Sequence, residues 1–219
     1  MKANIVFDLD GTLIDSAPDI QGIANQLLRA RDLPPIDLAT ATGFIGQGAP
    51  VFIEKLRAAR GIPDSEQSAM LKDFVARYDD AVSLTRPYPG VEEALVRLAA
   101  DHALGLCTNK PHRPCLAVIR HFGLDRFFPT VIGGDSLPVR KPDPLPLLAA
   151  FDQMGPGPRI YVGDSETDAE TARRAGVPFL LFTRGYRKAA VEDLPHVAAF
   201  DDFRALPDML ADVLSRLPA

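Results

Sequence analysis

The sequence lacks three features, and each absence excludes a class of protein. Only two cysteines occur, Cys107 and Cys115, which are too few for a disulfide framework, and Cys107 lies in an apolar run where a buried thiol is expected. No stretch approaches the roughly 18 apolar residues that a transmembrane helix needs. Basic residues are not in excess, because the chain has 24 Lys and Arg and 29 Asp and Glu, which gives a formal net charge of -5. Neither a nucleic-acid partner nor a membrane partner is therefore expected.

The N-terminus also lacks the apolar region of a secretion signal. The run 5–7 is short, and carboxylates follow it at once. Internal repeats and low-complexity tracts are absent as well. What is present is enough apolar material for a substantial core with a smaller attached lobe, since 47% of the 219 residues are hydrophobic. We expect a cytoplasmic globular protein.

Short apolar runs that end in a polar residue or in glycine recur along the chain. Such runs are typical of strands that are buried on both faces. Stretches with helical periodicity lie between them, for example Val91, Ala94, Leu95 and Leu98. This alternation predicts an α/β protein with a doubly wound, Rossmann-like parallel sheet. The predicted strands are 5–7, 103–107, 131–132, 160–162 and 179–182.

One long interval interrupts the alternation. From about residue 16 to about residue 84 the pattern is helical, and three helices are plausible there. One apolar helix face is formed by Ile20, Ile23, Ala24, Leu27 and Leu28, and another by Leu71, Phe74, Val75, Tyr78 and Val82. The sequence thus predicts a small helical domain over 16–84, inserted after the first strand of a core made of 1–15 and 85–219.

The candidate functional residues lie where the predicted strands end. In open α/β sheets, ligands bind beyond the carboxyl ends of the parallel strands. The polar residues found at these ends, or in the loops that follow them, are Asp8, Asp10, Thr108, Asn109, Lys110, Lys141, Asp164, Ser165 and Asp168.

The first pair, Asp8 and Asp10, favours a metal site. Residues two apart on a strand lean toward one face, while Leu9 points away. Two carboxylates so close repel each other unless a cation lies between them, and an all-oxygen site suits Mg²⁺. Taken alone, the segment could also be a helix-capping or solvated acidic turn, although a functional role is favoured.

The other candidates also have ordinary structural explanations. Thr108 could cap the local backbone, and Lys141 could be a surface lysine. Asp164 and Asp168 could simply compensate the dipole at the start of a helix. Only their shared location at the strand ends favours a functional role.

In combination and in this order, the motifs resemble those of the haloacid dehalogenase superfamily. The resemblance covers the whole chain, and the interval 16–84 is similar to the cap domain of that superfamily. Segments 8–15, 108–111, 140–142 and 163–165 are most similar to the phosphoglycolate phosphatase group. The superfamily motifs appear here as Asp8-Leu9-Asp10-Gly11-Thr12, Thr108, Lys141, and Gly163-Asp164 with Asp168.

The resemblance implies a phosphatase that works through two carboxylates. Asp8 would be the nucleophile and would form an aspartyl phosphate. Asp10 would protonate the leaving alkoxide and then take a proton from the attacking water, so its surroundings must differ from those of Asp8. Mg²⁺ would be held by Asp8, the Asp10 carbonyl and Asp164.

The remaining residues would hold the phosphoryl group. Lys141, the Thr108 hydroxyl and the Asn109 backbone N–H would contact its equatorial oxygens. For Asp168 two roles stay open, because it could bind a water on the metal or hold Lys141.

A glycine-rich segment in the predicted cap bears on the substrate. Gly46, Gln47 and Gly48 precede a helix that starts near Ala49, and backbone N–H groups there could bind a small carboxylate. The segment resembles the substrate loop of the phosphoglycolate phosphatases, which implies 2-phosphoglycolate as substrate. A plain glycine turn is the alternative, and Phe44 stands where many relatives carry tryptophan.

Three other functions remain open at this point. A sugar-phosphate phosphatase or a phosphomutase of the same superfamily would keep every core residue named above. A phospho-accepting receiver also carries Asp, Thr and Lys at strand ends, but it lacks a carboxylate at the position of Asp10 and has no helical insertion. The expected partner is a small phosphorylated metabolite, and both a monomer and a homodimer fit the sequence.

Overall fold

The computed structural model describes residues 2–78 and 81–216, and its centre is a parallel β-sheet. Six strands in the order β5-β4-β1-β6-β7-β8 form this sheet, and two short strands, β2 and β3, pair antiparallel beside it. The strands are β1 Asn4–Phe7, β2 Ile14–Asp15, β3 Arg86–Pro87, β4 Ala103–Cys107, β5 Thr130–Ile132, β6 Arg159–Gly163, β7 Phe179–Phe182 and β8 Ala198–Phe200.

Helices connect and cover the strands. None of the helices in the described part of the chain is long and apolar enough to cross a membrane. They are α1 Ala17–Arg29, α2 Leu38–Phe44, α3 Ala49–Arg60, α4 Gln67–Tyr78, α5 Val91–Asp101, α6 His112–His121, α7 Leu145–Met154, α8 Glu166–Ala175 and α9 Leu206–Arg216.

The sheet buries both faces, as the apolar runs predict. Successive strand residues point to opposite sides, so Ile5 and Phe7 join one hydrophobic cluster while Val6 joins another. Helices α5, α6 and α9 cover the first face, and α7 and α8 cover the second. Cys107 is fully buried on the second face. The α/β fold with a doubly wound parallel sheet is confirmed.

All five predicted strands are present, but three others were not predicted: the two-residue strands β2 and β3, and β8 nearest the C-terminus. β8 has only three residues, Ala-Ala-Phe, and two of them are alanines with little of the apolar, β-branched character that marks a strand. The tertiary context makes it a strand, because it pairs with β7 at the edge of the sheet.

The interval between β2 and β3 is helical, as predicted, but it contains four helices in the described residues rather than three. Val82 was wrongly placed on a helix face, since α4 ends at Tyr78 and Val82 packs against the sheet cluster instead. The buried apolar residues of α1–α4 form a cluster of their own. This separate core supports the division into a domain over 16–84 and a domain over 1–15 and 85–219, which we retain as a proposal.

Candidate active site

The site is built at the carboxyl ends of three adjacent strands. Asp8, Thr108 and Asp164 directly follow β1, β4 and β6, and all three residues are buried. The sheet ladder continues past the strand ends and fixes their backbone, because the Asp8 N–H donates to Val162 O at 2.9 Å and the Thr108 N–H donates to Ile132 O at 2.9 Å. The parallel sheet therefore brings together three residues that are distant in sequence.

Lys141 reaches this edge from the loop between β5 and α7. Its ammonium lies 2.8 Å from Asp8 Oδ1 and 2.6 Å from Asp168 Oδ1, and it donates to the Tyr161 hydroxyl at 2.7 Å. These three contacts match the three N–H donors of a lysine. Burial opposes the charge, but the two carboxylates outweigh burial and raise the pKa of Lys141 above its usual value. Lys141 is thus a fixed positive charge and not a surface lysine.

Asp168 is held from both sides at the start of α8. Its Oδ2 accepts from the Ser165 hydroxyl at 2.6 Å and completes a capping box, while Oδ1 accepts from Lys141 and from the Tyr161 hydroxyl at 2.7 Å. Although burial opposes ionisation, Lys141 and these hydrogen bonds lower the pKa of Asp168. Of the two roles left open by the sequence, this geometry favours the positioning of Lys141.

Asp8 and Asp164 lie in a cluster with too little positive charge. Burial raises the pKa of Asp8 to about 7 even though Lys141 opposes the shift. Burial also raises the pKa of Asp164 well above its usual range, and the charges of Asp168 and Asp8 add to the effect. A cation beside these two carboxylates would offset this cost.

The donor set around Asp164 fits a hard cation. One carboxylate oxygen from each of Asp8, Asp164 and Asp168 lies within 4.8 Å of the others. Asp164 is already oriented, because it accepts from the Thr12 hydroxyl at 2.7 Å and from the Tyr186 N–H at 2.6 Å. All these donors are oxygens, which Mg²⁺ prefers. Both oxygens of Asp168 already accept hydrogen bonds, from Lys141 and Tyr161 at Oδ1 and from Ser165 at Oδ2, so Asp8 and Asp164 are the side chains best suited to bind metal.

Asp10 has different surroundings from Asp8, as the proposed division of roles requires. Its Oδ1 accepts from the Ser16 hydroxyl at 2.6 Å, and Lys110 Nζ lies 3.2 and 3.4 Å from its two oxygens. Its side chain does not belong to the acidic cluster found among the described residues. The sequence resemblance implies that Asp10 binds the metal through its backbone carbonyl. This role remains a prediction.

Three residues of the site were not given a role from the sequence. Lys110 was noted only as part of the segment after Thr108. Tyr161 lies inside an apolar strand and was counted as core, although its hydroxyl contacts Lys141 and Asp168. Tyr186 follows β7, and its position near a strand end is a signal that could have found it.

Tyr186 ties the metal side of the site to the entrance of the cap. Its backbone N–H donates to Asp164, and its hydroxyl accepts from the N–H groups of Ser16 and Ala17 at 2.8 and 3.0 Å. The same hydroxyl donates to Asp15 Oδ1 at 2.8 Å. One residue therefore fixes both a candidate ligand and the point where α1 begins.

The predicted cap loop lies against the core. Asn109 Nδ2 donates to Gly46 O at 3.0 Å and to Lys141 O at 2.9 Å, so its amide links the cap, the core loop and the lysine segment. Gly48 has a φ of 86°, and a Cβ there would come within 3.1 Å of Asn109 O. Gln47 is exposed and accepts from Lys55 at 3.0 Å. Gly48 thus allows close approach of the cap to the core.

A small cleft lies between these cap and core surfaces. Its core side carries the catalytic candidates, and its cap side is largely apolar. A small ester could lie there with its phosphoryl group beside Asp8 and its leaving group against the cap. The core lining includes Asp8, Asp10, Thr108, Asn109 and Lys110, and the cap lining includes Ile20, Ile45, Gly46, Gly48, Ala49, Phe52, Phe74 and Tyr78.

A family model described as haloacid dehalogenase-like hydrolase matches residues 5–182. The chain belongs to this family. A curated phosphoglycolate phosphatase of Cereibacter sphaeroides (strain ATCC 17029) is 48% identical over 215 residues, which cover 96% of this chain and 99% of that protein. The phosphoglycolate phosphatase of Rhodobacter capsulatus is 46% identical over 214 residues, covering 96% and 97%.

Two solved structures agree with the observed fold. A predicted phosphoglycolate phosphatase from Haemophilus somnus 129pt superposes with a TM-score of 0.88 at 30% identity, covering 95% of this chain and 98% of that one. CbbY from Rhodobacter sphaeroides, solved in complex with phosphate, has a TM-score of 0.77 at 20% identity, covers 94% and 96%, and shows the fold alone.

Proposed function

We propose that this hydrolase is a Mg²⁺-dependent phosphatase that cleaves 2-phosphoglycolate to glycolate and phosphate through an aspartyl phosphate on Asp8. The observation that carries the proposal is the placement of Asp8: it is buried at the end of β1, 2.8 Å from Lys141, and within 4.8 Å of Asp164. A carboxylate in these surroundings can act as a nucleophile toward a phosphoryl group that the lysine and a metal partly neutralise.

Two displacements at phosphorus make up the reaction. In the first, an Asp8 oxygen forms a bond to phosphorus, the ester P–O bond breaks, and Asp10 acts as the general acid that gives a proton to the leaving alkoxide. In the second, Asp10 takes a proton from water, the water oxygen bonds to phosphorus, and the bond to Asp8 breaks. Phosphate and the regenerated Asp8 carboxylate are the result.

Charge on the transferring group is stabilised by groups that are already in place. Lys141 is held by Asp168 and Tyr161 and need not reorganise during the reaction. Together with Lys141, the Thr108 hydroxyl and the Asn109 backbone N–H would contact the equatorial oxygens of the phosphoryl group. Each of these residues keeps the role that the sequence resemblance implies.

Asp8, Asp164 and the Asp10 carbonyl would hold the Mg²⁺. The buried carboxylates support this assignment, because burial raises the pKa of each and a bound cation would favour their ionised form. When bound, the ion supplies charge that offsets the repulsion between a carboxylate nucleophile and a phosphate dianion.

The choice of 2-phosphoglycolate rests on the names of the curated relatives and on the cap loop at 46–48. A sugar-phosphate phosphatase or a phosphomutase would use the same core residues, so these activities are outcomes that the test must separate. The chain belongs to a hydrolase family, so a phospho-accepting receiver is no longer an alternative.

The test is phosphate release from a panel of small esters by the full chain, with Mg²⁺ and with excess chelator. We expect 2-phosphoglycolate to have the highest kcat/KM of the panel and chelation to abolish its turnover. Isomerised sugar phosphate without free phosphate would indicate a mutase instead. Equal turnover of all the esters would remove the assignment of substrate, and turnover that survives chelation would remove the metal.

We further predict that Mg²⁺ raises Tm, and that it does so more at high pH. Asp8 has a pKa of about 7 when folded, against about 3.9 for an unfolded aspartate. The folded state therefore binds this proton more tightly, so the free energy of unfolding of the metal-free protein falls as pH rises from about 4 to about 7. Because Mg²⁺ needs the ionised carboxylates, saturating ion should raise Tm by roughly 5–10 °C near pH 8 and by much less near pH 5.

Thermal melts with chelator and with Mg²⁺, at several pH values, check this prediction without measuring activity. Asp164→Asn should remove the Mg²⁺ shift. The matched control is Asp73→Asn, an exposed aspartate on α4, which should keep it. A shift that survives Asp164→Asn, or that is larger at low pH, would contradict the proposed metal ligands.

A further inference from the structure

The cleft between cap and core contains one positive charge that the mechanism does not use. Among the described residues that line the cleft, Lys110 is the only Lys, Arg or His. The rest of the lining is carboxylate and small polar groups on the core side and mainly apolar side chains on the cap side. A negatively charged leaving group that entered the cleft would find its cation there.

Lys110 is held so that its ammonium remains charged. Its side chain is 3% exposed, and its nitrogen contacts both Asp10 oxygens and lies 3.8 Å from the centre of the Tyr78 ring, which belongs to the cap. Burial opposes the charge, and the contacts with the Asp10 oxygens and the face of the Tyr78 ring stabilise it. A buried lysine with these contacts is not explained by solubility or by surface charge.

The contact with Asp10 fixes where Lys110 stands relative to the substrate. To protonate the leaving alkoxide, Asp10 must reach the bridging ester oxygen to within hydrogen-bond distance. Lys110 is 3.2 Å from Asp10, so its ammonium is also close to the leaving group. In 2-phosphoglycolate the carboxylate is attached through one CH₂ group to that bridging oxygen. The short leaving group keeps its carboxylate within reach of this ammonium.

The apolar cap surface makes this partner necessary. An anion that is moved from water into a site lined by Phe52, Phe74 and Ile45 loses hydration that only a paired charge or several hydrogen bonds can replace. Two other lysines border a separate, wider pocket beside the cleft, where Lys55 donates to Gln47 and the exposed Lys188 donates to Gly43 O. Both are already engaged outside the cleft, and the solvent exposure of Lys188 weakens any pairing with substrate.

We propose that Lys110 binds the carboxylate of the substrate and selects phosphate monoesters with an anionic leaving group. It keeps its contact with Asp10 in doing so, and Tyr78 positions it from the cap. The inference rests on the proposed function, since it names the group that distinguishes 2-phosphoglycolate from an uncharged ester. It assigns the recognition to the core loop after β4, in addition to the cap loop at 46–48.

Binding of two phosphonates to the Mg²⁺-loaded full chain tests the proposal. In 3-phosphonopropionate a CH₂ group replaces the bridging oxygen, so it cannot be cleaved and still carries the carboxylate; propylphosphonate lacks that carboxylate. We expect Lys110→Met to weaken binding of 3-phosphonopropionate roughly tenfold to a hundredfold by calorimetry and to leave propylphosphonate almost unchanged. Lys110→Arg should retain most of the preference. Lys72→Met, at an exposed lysine of α4, should match the wild type.

Each other outcome has a distinct meaning. Equal weakening of both phosphonates, or a loss of preference in Lys55→Met and not in Lys110→Met, would overturn the role of Lys110. If the Met variant does not fold, Lys110→Gln keeps a donor beside Asp10 without the charge and is expected to give the same loss. Failure of the proposed substrate looks different, because the wild type itself would then show no preference for 3-phosphonopropionate.

Discussion

Asp8→Asn is expected to lower kcat on 2-phosphoglycolate roughly 10⁵-fold while the protein stays folded. The amide is no nucleophile toward phosphorus, and loss of a covalent nucleophile is among the largest single effects known in enzymes. The fold should tolerate the change because Asn has the same shape, and because burial already favours an uncharged side chain here by raising the pKa of Asp8 to about 7. Lys141 keeps its contacts with Asp168 and Tyr161.

Phosphate release measures the rate, and intact mass after rapid acid quench measures the covalent step. The wild type should gain the mass of one phosphoryl group during turnover, and Asp8→Asn should gain none. The Tm in chelator near pH 8 should be equal to or above that of the wild type, since the variant has no carboxyl to ionise at the buried position 8. A phosphorylated variant would assign the nucleophile to another residue, and Asp73→Asn serves again as the control that should behave like the wild type.

The strand ends were predictable from the sequence because they depend on local pattern and on one rule of topology. Asp8, Thr108 and Asp164 each follow a short apolar run, and parallel strands bring their carboxyl ends to one edge. Lys141 was harder to place, since it follows a loop and not a strand directly. Its candidacy came from order and resemblance, and the structure supplies the contacts that explain why a lysine is buried there.

The contacts that the sequence did not reveal are those made between side chains from different loops. Lys110 and Asp10 are 100 positions apart, and their contact depends on the conformation of the loop after β4. Tyr186 lies in the loop after β7 and makes hydrogen bonds both to Asp164 and to the start of α1. Apolar periodicity carries no information about such pairs, because it describes which face is buried and not which polar atoms meet.

The second large effect is expected for Asp10→Asn, which should affect the formation and the hydrolysis of the aspartyl phosphate differently. The kcat on 2-phosphoglycolate should fall roughly 10²- to 10⁴-fold, the usual range for loss of a general acid–base. Asn keeps an acceptor for the Ser16 hydroxyl, so the side chain should stay in place. The Mg²⁺ shift in Tm should persist, because only the backbone carbonyl of residue 10 is proposed as a metal ligand.

The decisive comparison uses a leaving group that needs no proton. With p-nitrophenyl phosphate, the first displacement should remain fast in Asp10→Asn while hydrolysis of the aspartyl phosphate becomes slow, because the base for the attacking water is missing. Stopped-flow absorbance should then show a burst of about one p-nitrophenolate per active site, followed by slow turnover. Rapid-quench measurement of glycolate should show no such burst with 2-phosphoglycolate, whose alkoxide cannot leave unprotonated. Slow turnover of both substrates with no burst would mean that Asp10 acts in substrate binding and that a different residue carries out the proton transfers.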